Sequence, residues 1–165
     1  MIFVTVGTHE QPFNRLVEYI DQLKENGTIS EEVIIQTGFS TYEPKHCRWQ
    51  KLYPYQEMTR LVQEARIVIT HGGPSSFIMP LQIGKIPVVV PRQKQYDEHV
   101  NDHQLAFAKA LAERQGNLLV VEEIRDLENI LINYSQIVAS LPLDMKSNNA
   151  KFNEALRGIV EELFS

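Results

Sequence analysis

IVITHGGPSS, residues 67 to 76, changes character at a single point. Ile67, Val68 and Ile69 are a β-branched run of the kind buried in the middle of a sheet. Behind Thr70 the chain then gives up nearly all side-chain bulk, through His71, Gly72, Gly73, Pro74, Ser75 and Ser76. Two readings fit. Gly72 and Gly73 admit a ligand to the main chain with no Cβ in the way, and Ser75 or Ser76 caps a helix whose free N–H groups suit an anion such as a diphosphate. Alternatively, the segment is a tight strand-to-helix turn with an ordinary serine cap.

Working outward, similar apolar runs recur at 2–6, 33–35, 86–90 and 118–121, with a shorter candidate strand at 47–53. Most lack inside–outside alternation, as expected of parallel strands covered on both faces. Helical periodicity fills the gaps. Phe13, Leu16, Val17, Ile20 and Leu23 share a face, with Pro12 suited to the first turn and Gly27 to the stop. Met58, Leu61, Val62 and Ala65 form a second stripe, Leu105, Ala108, Leu111 and Ala112 a third, and Ile124, Leu127 and Leu131 a fourth. The last helix, predicted over 148–164, carries Phe152, Leu156, Val160 and Leu163, widened by Phe164. That stripe either packs on the sheet or docks a partner.

Strands alternating with helices predict an α/β fold, a Rossmann-like and mostly parallel sheet with helices on both faces, in one domain over residues 1–165. Ligands in such folds bind beyond the carboxyl ends of the strands. Those ends are 7–12, 36–44, 70–76 and 91–104, and they hold every histidine except His46. A net charge of -5 gives no field that favours nucleic acid. Cys47 is the one cysteine, so no internal disulfide forms, consistent with a reducing cytoplasm. No stretch reads as a signal peptide or a membrane span, so any membrane role is expected to come through a partner.

The strand-end residues exclude several chemistries. Gly84-Lys85 is followed by Ile86, so there is no Walker loop, and neither Gly7 nor Gly72 opens a G-x-G-x-x-G. No G-x-S-x-G elbow offers a nucleophile. His99 and His103 have the i, i+4 spacing of zinc ligands on a helix, but Val100 stands where a zincin has Glu, and no metal or other cofactor is expected. Asp102 and Gln104 bring donors and acceptors that suit sugar hydroxyls. His9 and Glu10 are the candidates for a general base.

Five ordered pieces, VTVGT at 4–8, YPYQEM at 53–58, ITHGGPSS at 69–76, GKIPVVVPR at 84–92 and DHQ at 102–104, resemble the family 28 C-terminal domain of GT-B glycosyltransferases. The likeness spans nearly the whole chain. By size the sequence is similar to stand-alone donor-binding subunits of two-component enzymes. These include the soluble subunit of the dolichol-pathway UDP-GlcNAc transferase and, more closely, those of bacterial capsule and exopolysaccharide pairs.

The resemblance implies that Gly7 and Thr8 touch a diphosphate and that Pro54 and Tyr55 clasp uracil. It puts Gly73, Pro74, Ser75 and Ser76 at the phosphate-binding helix start, and His103 and Gln104 on the sugar hydroxyls. His71 and Gly72 complete the donor set, and Arg92 or Lys94 adds positive charge. Met79 departs from the family, which often has an acid there for the ribose. The resemblance further implies a UDP-sugar as substrate and a lipid-linked saccharide as acceptor. A membrane-anchored subunit would bind that acceptor and recruit this chain from the cytoplasm to the inner face of the membrane. The alternative is a nucleotide-sugar-binding regulatory module without turnover.

Overall fold

Among the described residues six short strands make one sheet: Ile2–Thr5 (β1), Val33–Gln36 (β2), Arg48–Gln50 (β3), Ile67–Thr70 (β4), Val88–Val89 (β5) and Leu119–Val120 (β6). Their order is β3-β2-β1-β4-β5-β6, and every neighbouring pair is parallel. This computed structural model describes residues 1–141. The expected helix over 148–164, with its apolar stripe, lies outside the described residues. Every residue of β1, β2 and β4 is buried, as their Val and Ile content predicts. β5 shrinks to two residues because Pro87 and Pro91 bracket the run and neither has an N–H for the ladder.

Among the described residues six helices connect or follow the strands: Asn14–Glu25 (α1), Tyr55–Glu64 (α2), Pro74–Gln82 (α3), His103–Gln115 (α4), Asp126–Ile132 (α5) and Tyr134–Ala139 (α6). Strand alternation sorts them into two layers. Ile2, Val4 and Val6 face α1, α5 and α6 through Leu16, Val17, Ile20, Leu127, Leu131 and Tyr134. Phe3, Ile34 and Val68 face Leu61 and Val62 of α2, while Val89 packs with Phe77 of α3 and Phe107 and Leu111 of α4. The sheet is thus covered on both sides, which is why its central strands carry no polar face. No helix among the described residues is long and apolar enough to cross a membrane.

Four expectations need correction. Pro12 precedes the N-cap Phe13 rather than sitting in the first turn of α1. No serine caps α3: Pro74, with its backbone torsion preset for a first helical position, starts the helix and leaves the cap to Gly73. His99 and His103 do not share a helix, because α4 begins at His103. On that helix Phe107 is buried, while Leu105 is only half-buried.

Candidate functional site

The strand order reverses between β1 and β4, so their carboxyl ends diverge and open a crevice. A cleft of about 590 Å³ lies there. Gly7, Thr8 and His9 line it from the loop after β1, and His71, Ser75 and Ser76 from the turn into α3. Leu52, Tyr53, Tyr55 and Met58 make an apolar wall on the α2 side, and Met79 adds an apolar side chain from α3. Tyr55, the first residue of α2 after Pro54, is 76% exposed.

His71 organises the turn. Its Nδ1 accepts from the Gly73 N–H at 3.0 Å, so the ring proton sits on Nε2, which donates to Ser76 Oγ at 2.7 Å. Burial, reinforced by the charge of Arg92, pulls this imidazole down to about 3, so it is neutral at physiological pH. Two glycines make room for the ring. A Cβ on Gly73 would meet His71 Cε1 at 2.2 Å, and one on Gly7 would meet Nε2 at 2.2 Å. Gly72 is small for a different reason, since its Cβ would press on Gln104 Cβ at 2.8 Å. The glycines therefore accommodate the protein's own side chains at the turn. The Gly73 amide is occupied by His71, and the Ser76 amide by the Gly73 carbonyl at 3.0 Å. That leaves the Ser75 amide, an orphan by helix geometry, with the Ser75, Ser76 and Thr8 hydroxyls as donors facing the cleft. Since Ser76 Oγ accepts from His71, its own proton is directed elsewhere.

Gln104, at the start of α4, ties three segments. Its Oε1 accepts from the amides of Gly72 (3.2 Å) and Arg92 (3.1 Å), so only its NH2 group remains for a ligand. With His99, Asn101 and His103 it lines a second pocket of about 190 Å³, bordered also by Gly72, Gly73 and Pro74. Asp102 accepts from the Lys94 amide at 2.9 Å.

Arg92 is not at the surface of the cleft. It is 0% exposed, and its guanidinium donates to the carbonyls of Val6 (2.7 Å), Gln11 (2.6 Å) and Glu98 (3.1 Å). Its role is to bind the loop after β1 to the loop after β5. Burial pulls the guanidinium down to about 10, Glu98 acting the other way, so the charge persists at neutral pH. A donor-binding contact by Arg92 is thus corrected: the side chain is enclosed by backbone it holds together.

His9 and Glu10 separate. Glu10 is exposed and does not line the cleft. His9 lines it, with Nε2 at 2.9 Å from Gln11 Oε1 and its ring stacked on His99 at 4.4 Å between centroids. Burial, then the charges of His9 and Arg92, hold His99 below the ordinary histidine range. Among the described residues no three His, Cys, Asp or Glu side chains converge as a metal site.

Two participants gave no signal in the sequence. Gln36 is buried at the end of β2, where it donates to Thr5 Oγ1 (3.1 Å) and accepts from the Tyr53 amide (3.1 Å), fixing the cleft floor. Gln11 carries no motif and is recognisable only from its contacts. A further cleft of about 550 Å³, between α1 and residues 96–98, lies away from the strand-end crevice.

Comparison with known proteins bears on the family and the fold. The glycosyltransferase family 28 C-terminal domain matches residues 1–161. The human UDP-N-acetylglucosamine transferase subunit ALG13 is 32% identical over 126 residues, 71% of this chain and 10% of that protein. The mouse subunit of the same name is 31% identical over 128 residues, again 10% of its length. The chain therefore spans about a tenth of these relatives. Among solved structures, Acinetobacter baumannii MurG superposes with a TM-score of 0.51 at 18% identity, covering 97% of this chain and 48% of that one. This likeness is one of fold. With the family match running over nearly its whole length, the chain belongs to the glycosyltransferase family 28 C-terminal domain family.

Proposed function

We propose that this chain is the donor-binding, catalytic half of a two-component inverting glycosyltransferase that moves a sugar from a UDP-sugar to a lipid-linked acceptor. The observation that carries the reading is the cleft at the β1–β4 switch point, polar on the α3 side and aromatic on the α2 side. UDP has the same asymmetry. Its diphosphate fits the helix start at Ser75 and Ser76 and the loop at Gly7 and Thr8, and its uracil fits the exposed Tyr55 beside Pro54. The sugar then falls near His103 and the Gln104 amide.

Displacement at the anomeric carbon builds negative charge on the departing UDP. Fixed donors at the α3 start, held by neutral His71, stabilise that charge without reorganising. His9 in the cleft is the general base. The acceptor and its membrane-anchored subunit complete the site in the cytoplasm at the inner membrane face, in capsule or exopolysaccharide synthesis. UDP-GlcNAc is the first donor to test, because the curated relatives are named as subunits of a UDP-GlcNAc transferase.

Met79 in the cleft wall favours a second reading, a nucleotide-sugar-binding module without turnover, since a thioether accepts only weakly from a ribose hydroxyl. Co-expression with the partner and a UDP-sugar panel with lipid-linked acceptor tests both. UDP release that requires partner and acceptor supports the transferase. UDP-sugar binding without release under any combination supports the module.

A further inference from the structure

His9 is held from two directions by the loop that follows β5. Gln11 Nε2 donates to the Asp97 carbonyl at 3.1 Å, which sets the orientation of the Gln11 amide, since a flipped amide would put two oxygens face to face. The Gln11 backbone is fixed as well, its carbonyl accepting from buried Arg92 at 2.6 Å. Gln11 Oε1 is thereby presented to His9 Nε2 at 2.9 Å and can only accept. The proton of a neutral His9 must lie on Nε2. One face of the ring is covered by His99, the two planes lying 11° apart.

We propose that Gln11 is a positioning residue that locks His9 in the Nε2–H tautomer and so leaves Nδ1 as the basic atom of the cleft. The proposal rests on the reading of His9 as general base. Nδ1 takes the proton of the acceptor hydroxyl, and the hydroxyl oxygen bonds to the anomeric carbon. The bond from that carbon to the UDP oxygen breaks, and its electron pair leaves on the diphosphate. A base oriented by a third group is the arrangement by which side chains of this type become efficient in proton transfer. Here the third group is a neutral amide whose own orientation comes from the Asp97 carbonyl, on a residue in the left-handed region at φ 58°.

The test uses the full chain with nitrogen-labelled histidine. Imidazole nitrogen NMR is expected to show His9 protonated on Nε2 alone in the native protein and in Gln11→Glu, which keeps an acceptor. In Gln11→Met a mixture of tautomers is expected. With the co-expressed partner and UDP-GlcNAc, Gln11→Met is expected to lower kcat by roughly a hundredfold with the donor KM and melting temperature unchanged, and Gln11→Glu to restore most of it. A native His9 protonated on Nδ1, or a tautomer unmoved in Gln11→Met, overturns the Gln11 lock. Full transfer by His9→Ala overturns instead the base assignment beneath it.

Discussion

The His71 ring fills the space where Gly73 would carry a Cβ, the ring's Cε1 lying 2.2 Å from that position. The two residues are also hydrogen-bonded, Gly73 N–H to His71 Nδ1 at 3.0 Å. Glycine at 73 and histidine at 71 are one device, and substitutions there should couple. Gly73→Ala is expected to lower the melting temperature and abolish UDP binding by displacing the ring. In a double-mutant cycle with His71→Ala, the combined loss of stability should fall short of the sum of the single losses. Additive losses in thermal denaturation would show that the glycine serves something else.

Gln104→Ala removes the acceptor shared by the Gly72 and Arg92 amides. The expected cost is about 1–3 kcal/mol in denaturant unfolding, because two backbone donors lose their partner. UDP and UDP-sugar affinities should fall together in calorimetry, since the diphosphate turn itself is released. Selective loss of UDP-sugar binding with unchanged stability would mean that the side chain serves the sugar alone.

Tyr55 is so exposed that its removal should leave folding intact. Tyr55→Ala is expected to weaken UDP by about 1–3 kcal/mol, the range for stacking one base on an aromatic ring, while the melting temperature stays constant. Pyrophosphate affinity, which involves no base, should not move. Equal weakening of UDP and pyrophosphate would place uracil elsewhere.

Part of the acid sensitivity should trace to His71, beside Asp21, Glu31 and His99, which are also held below their ordinary ranges. Its folded value, about 3, is below the unfolded histidine value of about 6.5, so the unfolded chain binds the proton more readily. The stability this difference supports is fully present above pH of about 6.5 and is lost as pH falls toward about 3. In His71→Gln, melting temperature plotted against pH should be flatter across that window. An identical slope in the variant would assign the acid limb to other groups.

Arg92→Lys keeps the charge but not the fork that reaches three carbonyls. It should lower stability by about 1–3 kcal/mol and weaken UDP at the same time, read by denaturant unfolding and calorimetry. Native stability in Arg92→Lys would show that the clip is dispensable.

The sheet was legible because burial on both faces leaves an unmistakable record in β1, β2 and β4, where every position is apolar or a strand-end Thr or Gln. The crevice followed from the alternation of strands and helices. What could not be read was direction. Arg92 looks like a loop cation in the sequence, and only the fold shows its guanidinium turned inward onto Val6, Gln11 and Glu98 carbonyls. Gly72 and Gly73 look like clearance for a ligand, whereas their nearest obstacles are Gln104 and His71. Contacts between residues such as His9 and His99, 90 positions apart, have no local signature at all. α6 leaves no record in the sequence, because six residues show too little periodicity to register.

Arg92 and Gln104 fasten the loops around the cleft to one another through the protein's own backbone groups. A donor that meets such a fastened site is expected to bind without ordering it. Association should follow a single exponential whose rate rises linearly with UDP concentration, and the heat capacity change should reflect only the area covered by the nucleotide.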